Sequence, residues 1–454
     1  DRAEFTHIVM KHFFYNIKSK ISARAFVYVQ RPYHFFLAFC AAVVYRFPSR
    51  KLTIVGVTGT KGKTTVVELI NSILEAHGSR VASVSSRRFR IGNEELPNIL
   101  GMTMPGRFFL QRFFARAVRR GCRYGVIEVT SQGIEQYRHR FISFNVGVLT
   151  NIAPEHIEAH GGFEPYLRSK LDFFWRLKGA SIAVINREDA QASRVAAACG
   201  CDKVWYSREV IEYKKHVWPI RNFNIGSFGI MFDVKGHQIK SSLQGDVNVE
   251  NILAAIAVAL CLRVPFEAIS RGIAEVKGIP GRMQVIQNKP FRVIVDYAHT
   301  PDSLERVYKS LEKKTNAPRA SRLICVLGSA GGGRDVWKRP EFGKIAATHC
   351  RDIIITNEDP FDEAPEKIME DIAKGARQSV VTDEAGGHVR IIADRREAIR
   401  HGISLAQSGD TVVITGKGSE VYIRTAHGEK IPWSDAQVVR EELRLIPIHN
   451  RPTA

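Results

Sequence analysis

Between residues 52 and 77 an apolar run, LTIVG, passes without a break into Val57-Thr58-Gly59-Thr60-Lys61-Gly62-Lys63-Thr64-Thr65 and then into a helical pattern. Apolar strand, glycine turn and helix in that order build a phosphate-binding loop. A strand with so little polar surface belongs inside a parallel sheet, and parallel neighbours need crossover helices. The loop departs from the general pattern G-x-x-x-x-G-K-[ST], because Val57 stands where its first glycine belongs. The physics is intact. Gly59 and Gly62 let backbone N–H groups face phosphate oxygens at a helix N-terminus, whose dipole favours anions. Lys63 then reaches the terminal phosphates, and Thr64 offers a hydroxyl to Mg²⁺.

The rest of the chain repeats the theme. Residues 53–57 read as a strand and 64–77 as a helix. Apolar runs at 124–131, 146–152 and 180–190 suit buried parallel strands with helices between them. From 204 to 245 the pattern turns short and strand-like, and 248–264 reads as a buried helix. A second series starts near Gly281-Arg282: the runs at 291–300, 321–335, 350–360 and 410–418 each end in polar or glycine residues. Ligands of such sheets collect beyond the carboxyl ends of the strands. The expected class is α/β: a P-loop-type central ATPase domain with a mostly parallel sheet, plus a Rossmann-like C-terminal α/β domain. The divisions are 1–50, a short helical N-terminal segment, 51–280 and 281–454.

A chain of 454 residues exceeds one ordinary core. Its 44% hydrophobic and 25% charged residues are those of a soluble globular protein. The formal charge of +20 calls for anionic partners, but it is spread out with no basic tail, so nucleic acid is not expected. Seven scattered cysteines without a C-x-x-C pair read as reduced thiols of a cytoplasmic protein. The run 35–45, FFLAFCAAVVY, is too short to cross a bilayer and has no cleavage site; it reads as a buried helix ending at Phe47-Pro48. The basic, aromatic stretch before it suits either weak contact with an anionic membrane surface or packing on the next domain.

Three single residues stand out. Glu128 ends a buried strand, where a carboxylate is costly unless it is paired or holds a cation. His156 follows the strand in TNIAPEH, and Lys170 sits in a helical pattern. Taken singly, each has a bland reading: a helix-capping acid, a satisfied histidine, a solvated lysine.

The ordered series TGTKGKTT, MPG, EVTSQ, TNIAPEH…HGG, INREDA, NVEN, GRM, DYAHTP, GSAGGGRD…KRP, EDP, DRREAI and GKGSE resembles the Mur ligase family. It is most similar to the MurE type, which adds an amino acid to a UDP-N-acetylmuramoyl-dipeptide, and the likeness runs from about residue 34 to 440. The resemblance implies roles. Gly59, Thr60, Lys61, Gly62, Lys63, Thr64 and Thr65 would hold ATP phosphates, with Asn251, Arg282, Asp296 and His299 as further nucleotide contacts. Thr64 and Glu128 would bind one Mg²⁺ and His156 a second. Lys170 would carry an N6-carboxylate, an anion beside that second ion. Thr103, Thr130, Gln136 and Arg138 would meet a UDP-muramoyl-peptide, and Asp359, Phe361 and Glu420 the incoming amino acid. The implied chemistry is amide ligation through an acyl phosphate, in peptidoglycan precursor synthesis, by a cytoplasmic monomer. A ligase of the same fold acting on a folate or a poly-amino acid is the alternative, or a non-catalytic ATP-binding protein at a membrane.

The chain also departs from the pattern. Only about fifty residues precede the loop, where the MurE type has a full uridine-binding domain. The Asp-Asn-Pro-Arg of diaminopimelate-adding enzymes reads Glu358-Asp359-Pro360-Phe361, so its guanidinium is missing. Asp359 and Asp362 would attract an ammonium, which favours a lysine-like amino acid over diaminopimelate; Arg395 or Arg396 could still supply a substitute guanidinium for the latter. Lys61, Met104, Gln132 and Glu155 are smaller departures.

Overall fold

The computed structural model describes residues 23–154, 160–226, 229–312, 321–333, 335–379 and 388–445. Thr53–Thr58 lies inside a twelve-stranded sheet, and five of its six residues are buried. It is so covered because parallel strands flank both edges, Tyr124–Val129 on one side and Phe144–Leu149 on the other. Val81–Val84 continues the parallel order on the first side, and Lys178–Asn186 and Gly200–Tyr206 on the second. Both ends then turn antiparallel. Arg88–Ile91 and Glu94–Pro97 form one end. A meander of Val210–Tyr213, His216–Gly226, Gly229–Val234 and His237–Ser241 forms the other, which is the strand-rich stretch expected over 204–245.

Side chains alternate across the sheet with period two. Val55 and Val57 face the helices Lys63–Ala76 and Asn248–Cys261, while Ile54 faces Arg107–Arg119 and Phe163–Trp175. Asn248–Cys261 buries eleven of its fourteen residues, so it is apolar on nearly every side, as its sequence indicates. Truncating Ile252 there to alanine would cost about 2–5 kcal/mol.

The second sheet has six strands. Arg292–Val295, Thr411–Ile414, Leu323–Leu327, Asp352–Ile355 and His388–Ile391 run parallel in that order, and Gln284–Gln287 pairs antiparallel at the edge. Helices Pro301–Leu311, Lys338–His349 and Pro365–Ser379 cover one face, Arg395–Leu405 and Asp435–Leu445 the other. The chain is an α/β protein, with a large, mostly parallel sheet followed by a second α/β unit.

Two expectations are corrected. The run 35–45 does lie in a helix, Ala23–Val44, but the helix is not buried: Ala38, Ala41 and Ala42 are covered, while Phe35, Phe36, Phe39, Val43 and Val44 are 40–64% exposed. Its small residues make the close contact, and Phe35 and Phe39 only edge onto the Phe141 ring at 5.3 and 5.5 Å. Among the described residues no helix is long and apolar enough to cross a membrane. Not every cysteine is a free thiol either. Cys325 and Cys350 form a disulfide, because the crossover returns the end of Lys338–His349 to the strand Leu323–Leu327; their spacing of 25 residues gave no hint of it.

Candidate active site

The loop after Thr53–Thr58 needs glycine at two places. Gly62 has φ 83°, and a Cβ there would sit 2.2 Å from Asn251 Oδ1; one on Gly59, at φ 150°, would sit 1.9 Å from Thr150 Oγ1. The neighbouring strand end holds the loop. Lys61 N donates to Asn151 Oδ1 at 2.8 Å, Thr150 Oγ1 donates to the Lys61 carbonyl at 2.6 Å, and Thr60 N donates to the Asn151 carbonyl at 2.8 Å. Lys63 Nζ folds over the loop and donates to the carbonyls of Gly59 and Thr60, at 2.9 and 2.7 Å. Thr64 and Thr65 open the helix, inside the wall of the cleft.

The parallel register sets Val57 opposite Glu128, so Glu128 ends its strand at the level where the loop begins. Glu128 is 1% exposed, and its Oε1 accepts from Thr64 Oγ1 at 2.9 Å and from Ser86 N at 2.8 Å. Burial raises its pKa, and Lys63 is the strongest charge opposing that. A buried carboxylate held by neutral donors suits a dication that phosphates and a threonine hydroxyl could share. Ser86 was missed in the sequence, although it ends the run VASVSS just as Glu128 ends its own strand.

Lys170 is not a solvated lysine. It is 1% exposed; Nζ donates to the Gly59 carbonyl at 2.9 Å and lies 4.7 Å from the centre of the Tyr166 ring. The Tyr166 and Thr60 hydroxyls are 2.8 Å apart, a contact no local sequence signal announced. His156 lies outside the described residues.

The second unit closes the other side of a cleft of about 680 Å³. Asn251 donates to the Val247 carbonyl and Asn248 Oδ1, both at 3.0 Å, leaving its own oxygen towards Gly62. The Arg282 guanidinium lies 4.2 Å from the centre of the Tyr297 ring. Asp296 accepts from the Met283 and Ala298 amides at 2.6 and 2.7 Å, and burial raises its pKa against the pull of Arg282. His299 Nδ1 donates to the Tyr297 carbonyl at 2.7 Å. Of the acceptor residues, Thr103, Thr130 and Arg138 line the cleft, whereas Gln136 stands behind Arg138 and accepts from its guanidinium at 2.7 and 3.2 Å.

Asp359, Phe361 and Glu420 do not line this cleft; a relay through Tyr297 connects Glu420 and Asp359 to it. Tyr297 Oη donates to Glu420 at 3.2 Å, and buried Lys417 bridges Glu420 and Asp359 at 2.5 and 2.6 Å. The charge of Asp359 is therefore already paired, which removes the ground for expecting it to attract an ammonium. Arg395 and Arg396 are also committed elsewhere. Arg395 makes a two-pronged pair with buried Asp435 at 2.8 Å, and Arg396 binds Glu441 and Glu442. The guanidinium that does face Phe361 is that of Arg424, 6.0 Å from its ring centre.

A strand, glycine loop and helix facing a second α/β unit across a cleft define an ATP-using enzyme of two α/β units. Comparison with known proteins carries this further. The chain matches the models described as "Mur ligase middle domain" over residues 57–259 and "Mur ligase, glutamate ligase domain" over 281–418. It is 36% identical over 401 residues to the UDP-N-acetylmuramoyl-L-alanyl-D-glutamate--2,6-diaminopimelate ligase of Aquifex aeolicus, covering 87% of this chain and 78% of that one. A solved structure of a ligase with that same printed name superposes with a TM-score of 0.58 at 31% identity, over 87% of this chain and 78% of the other. The Mycobacterium tuberculosis folylpolyglutamate synthase complexed with ADP and AMPPCP shares the fold alone, with a TM-score of 0.66 at 17% identity, over 84% of this chain and 91% of the other. The chain belongs to the Mur ligase family, in which its homologues are of the MurE type. It is an ATP-dependent ligase, and ligases of this family work with Mg²⁺.

Proposed function

We propose that this chain joins an amino acid to a UDP-N-acetylmuramoyl-dipeptide in the cytoplasm, as a step of peptidoglycan precursor synthesis. The observation that carries the reading is the meeting of Lys63, Thr64, Glu128, Lys170, Asn251 and Arg282 in one cleft. The loop amides from Gly59 to Thr65 hold the ATP phosphates, with Lys63 moving from the loop carbonyls onto the phosphate charge. Asp296 and His299 frame the nucleotide from the second unit. Thr64 and Glu128 hold one Mg²⁺; Lys170 as a carbamate, with His156, holds a second. Bound there, Mg²⁺ neutralises phosphate charge.

Thr103, Thr130 and Arg138 orient the acceptor so that its carboxylate attacks the terminal phosphate, giving an acyl phosphate and ADP. The amine of the incoming amino acid then attacks the acyl carbon, and phosphate leaves as the amide forms. Positioning and charge neutralisation carry the rate. Because the contacts come from residues 51–280 and 281–454, closure of two domains assembles the site. The amino acid enters near Lys417, Glu420 and Arg424. The enzyme acts as a monomer, with the exposed helix Ala23–Val44 making at most weak contact with an anionic membrane.

The test is phosphate release with Mg-ATP, UDP-N-acetylmuramoyl-L-Ala-D-Glu and a panel of lysine, ornithine and meso-diaminopimelate, with the product mass measured. Amino-acid-dependent release with a matching mass gain supports the reading and names the amino acid. ATP binding without release for any of them overturns it.

A further inference from the structure

A second recess lies at the opposite end of the large sheet from the cleft. The cleft gathers at the carboxyl ends of the parallel strands. This recess, of about 360 Å³, is bounded by Phe144 and Lys178, the first residues of Phe144–Leu149 and Lys178–Asn186. Phe144 and Phe173 pack edge to face there, with 5.0 Å between ring centres, and Trp175, 54% exposed, is part of the wall.

No carboxylate lines the recess, but cations do. The Arg140 guanidinium lies 5.1 and 5.5 Å from the centres of the Phe35 and Tyr137 rings, and Lys178 Nζ lies 4.4 Å from that of Trp175. Ring faces hold these groups in place without neutralising them. Arg176 is already spent, since Asp172, which does not line the recess, accepts from it at 2.8 and 3.0 Å. The carbonyl end of the helix Phe163–Trp175 offsets about half a charge, so Arg140 and Lys178 leave the recess positive. His139 adds an unsatisfied group. It lines the recess at 2% exposure, and neither ring nitrogen has a hydrogen-bond partner; Asp172, 3.6 Å from Nε2, is out of reach. Burial lowers its pKa, so it is a neutral imidazole with one N–H to give. A buried donor is costly until something accepts from it.

We propose that this recess is a second ligand site, for a small aromatic anion: a planar ring bearing one carboxylate or phosphate group. Arg140 and Lys178 take the anionic group, His139 supplies a neutral donor, and the Phe144, Phe173 and Trp175 rings take the planar body. The volume suits one such molecule. A donor buried this far favours a compact soluble molecule over a lipid headgroup tethered at a membrane plane. The site does not depend on the proposed function, but it touches the elements that build the cleft. Phe173 follows Lys170 by three residues on one helix, and a Cβ on Gly56, in the strand before the phosphate loop, would lie within 2.8 Å of both Phe144 and Phe173.

The probe is phenyl phosphate, titrated calorimetrically into the full chain with the cleft saturated by Mg²⁺ and a non-hydrolysable ATP analogue. Inorganic phosphate and phenol, the two halves of the probe, are the controls. Phenyl phosphate should bind at least about tenfold more tightly than either. Arg140→Gln and Lys178→Gln should each weaken it by about tenfold, the scale of one charge-assisted hydrogen bond. His139→Phe should abolish binding; if that buried change prevents folding, the two less buried variants, checked by melting curves, carry the test. No binding, equal binding of phenyl phosphate and inorganic phosphate, or unchanged affinity in both glutamine variants overturns the proposal. So does binding of dioctanoylphosphatidylglycerol, with the same variant dependence, in place of phenyl phosphate. A protein that binds no nucleotide counts against the proposed function alone: the same titration without nucleotide, weakened by the same variants, still supports the recess.

Discussion

Thr64 Oγ1 donates a 2.9 Å hydrogen bond to Glu128, tying the first turn of the loop's helix to the end of the next strand in the sheet. The charge is held in a place where burial resists it. Glu128→Gln should therefore lower turnover by more than about a hundredfold, the upper end of what outer-shell metal partners cost. Its thermal midpoint should be no lower than the parent's. Steady-state rates and melting curves on the same samples check both halves.

Gly62 sits at φ 83° with Asn251 Oδ1 where a methyl group would go. Gly62→Ala should lose about 1–2 kcal/mol to left-handed backbone strain, and more where Asn251 has to move. Nucleotide affinity should fall with it, because the loop amides are re-aimed. Calorimetric titration with an ATP analogue, beside urea unfolding, reads the two effects separately.

Lys170→Ala should abolish turnover in a protein that still folds, and a small added carboxylate should restore part of it by replacing the lost anion. Isotope-labelled bicarbonate should label the parent protein at this lysine. Full activity in the variant without added carboxylate would sink the carbamate assignment.

Glu358 is buried with Oε2 unpartnered, and its pKa is raised from 4.5 to about 7, mainly by burial, against the pull of Arg395 and Lys417. The folded state holds this proton more tightly than the unfolded state does. The associated stability is therefore fully present below pH 4.5 and is lost as pH rises through about 7. Relative to Glu358→Gln, the parent should lose about 3 kcal/mol across that window. Urea unfolding of both proteins at several pH values measures it; parallel curves would contradict the account.

Arg395 and Asp435 form a buried, two-pronged ion pair, and the same guanidinium donates to the Thr415 carbonyl at 2.8 Å. Arg395→Ala should destabilise the fold by about 3–5 kcal/mol, since it strands a buried carboxylate. Adding Asp435→Asn should recover part of that loss, and a double-mutant cycle by chemical denaturation gives the coupling.

The phosphate loop was readable because everything it needs is contiguous. A strand of TIVGVT, two glycines and a lysine before a helix can do little else, and backbone sterics enforce it. The parallel runs and the apolar helix Asn248–Cys261 were readable for the same reason, since burial on every side leaves no alternation to misread. Glu128 was readable as an acid at a strand end, but not its companions. Ser86 and Thr64 meet it only because strands in parallel register bring their carboxyl ends to one level. Lys170 could be told from a solvated lysine by resemblance alone, because helical periodicity does not say what covers a face.

Ion pairing was least legible. Arg395 reaches a partner 40 residues away, and Asp359 is claimed by Lys417 at a separation of 58, so a list of charges named candidates that the fold had already spent. Local sequence determined the loop, the strands and the class of chemistry, because short-range sterics and burial act between neighbours. Tertiary structure alone decided which charges are paired and which remain for a ligand, because Coulomb interactions depend on distance in space and not along the chain.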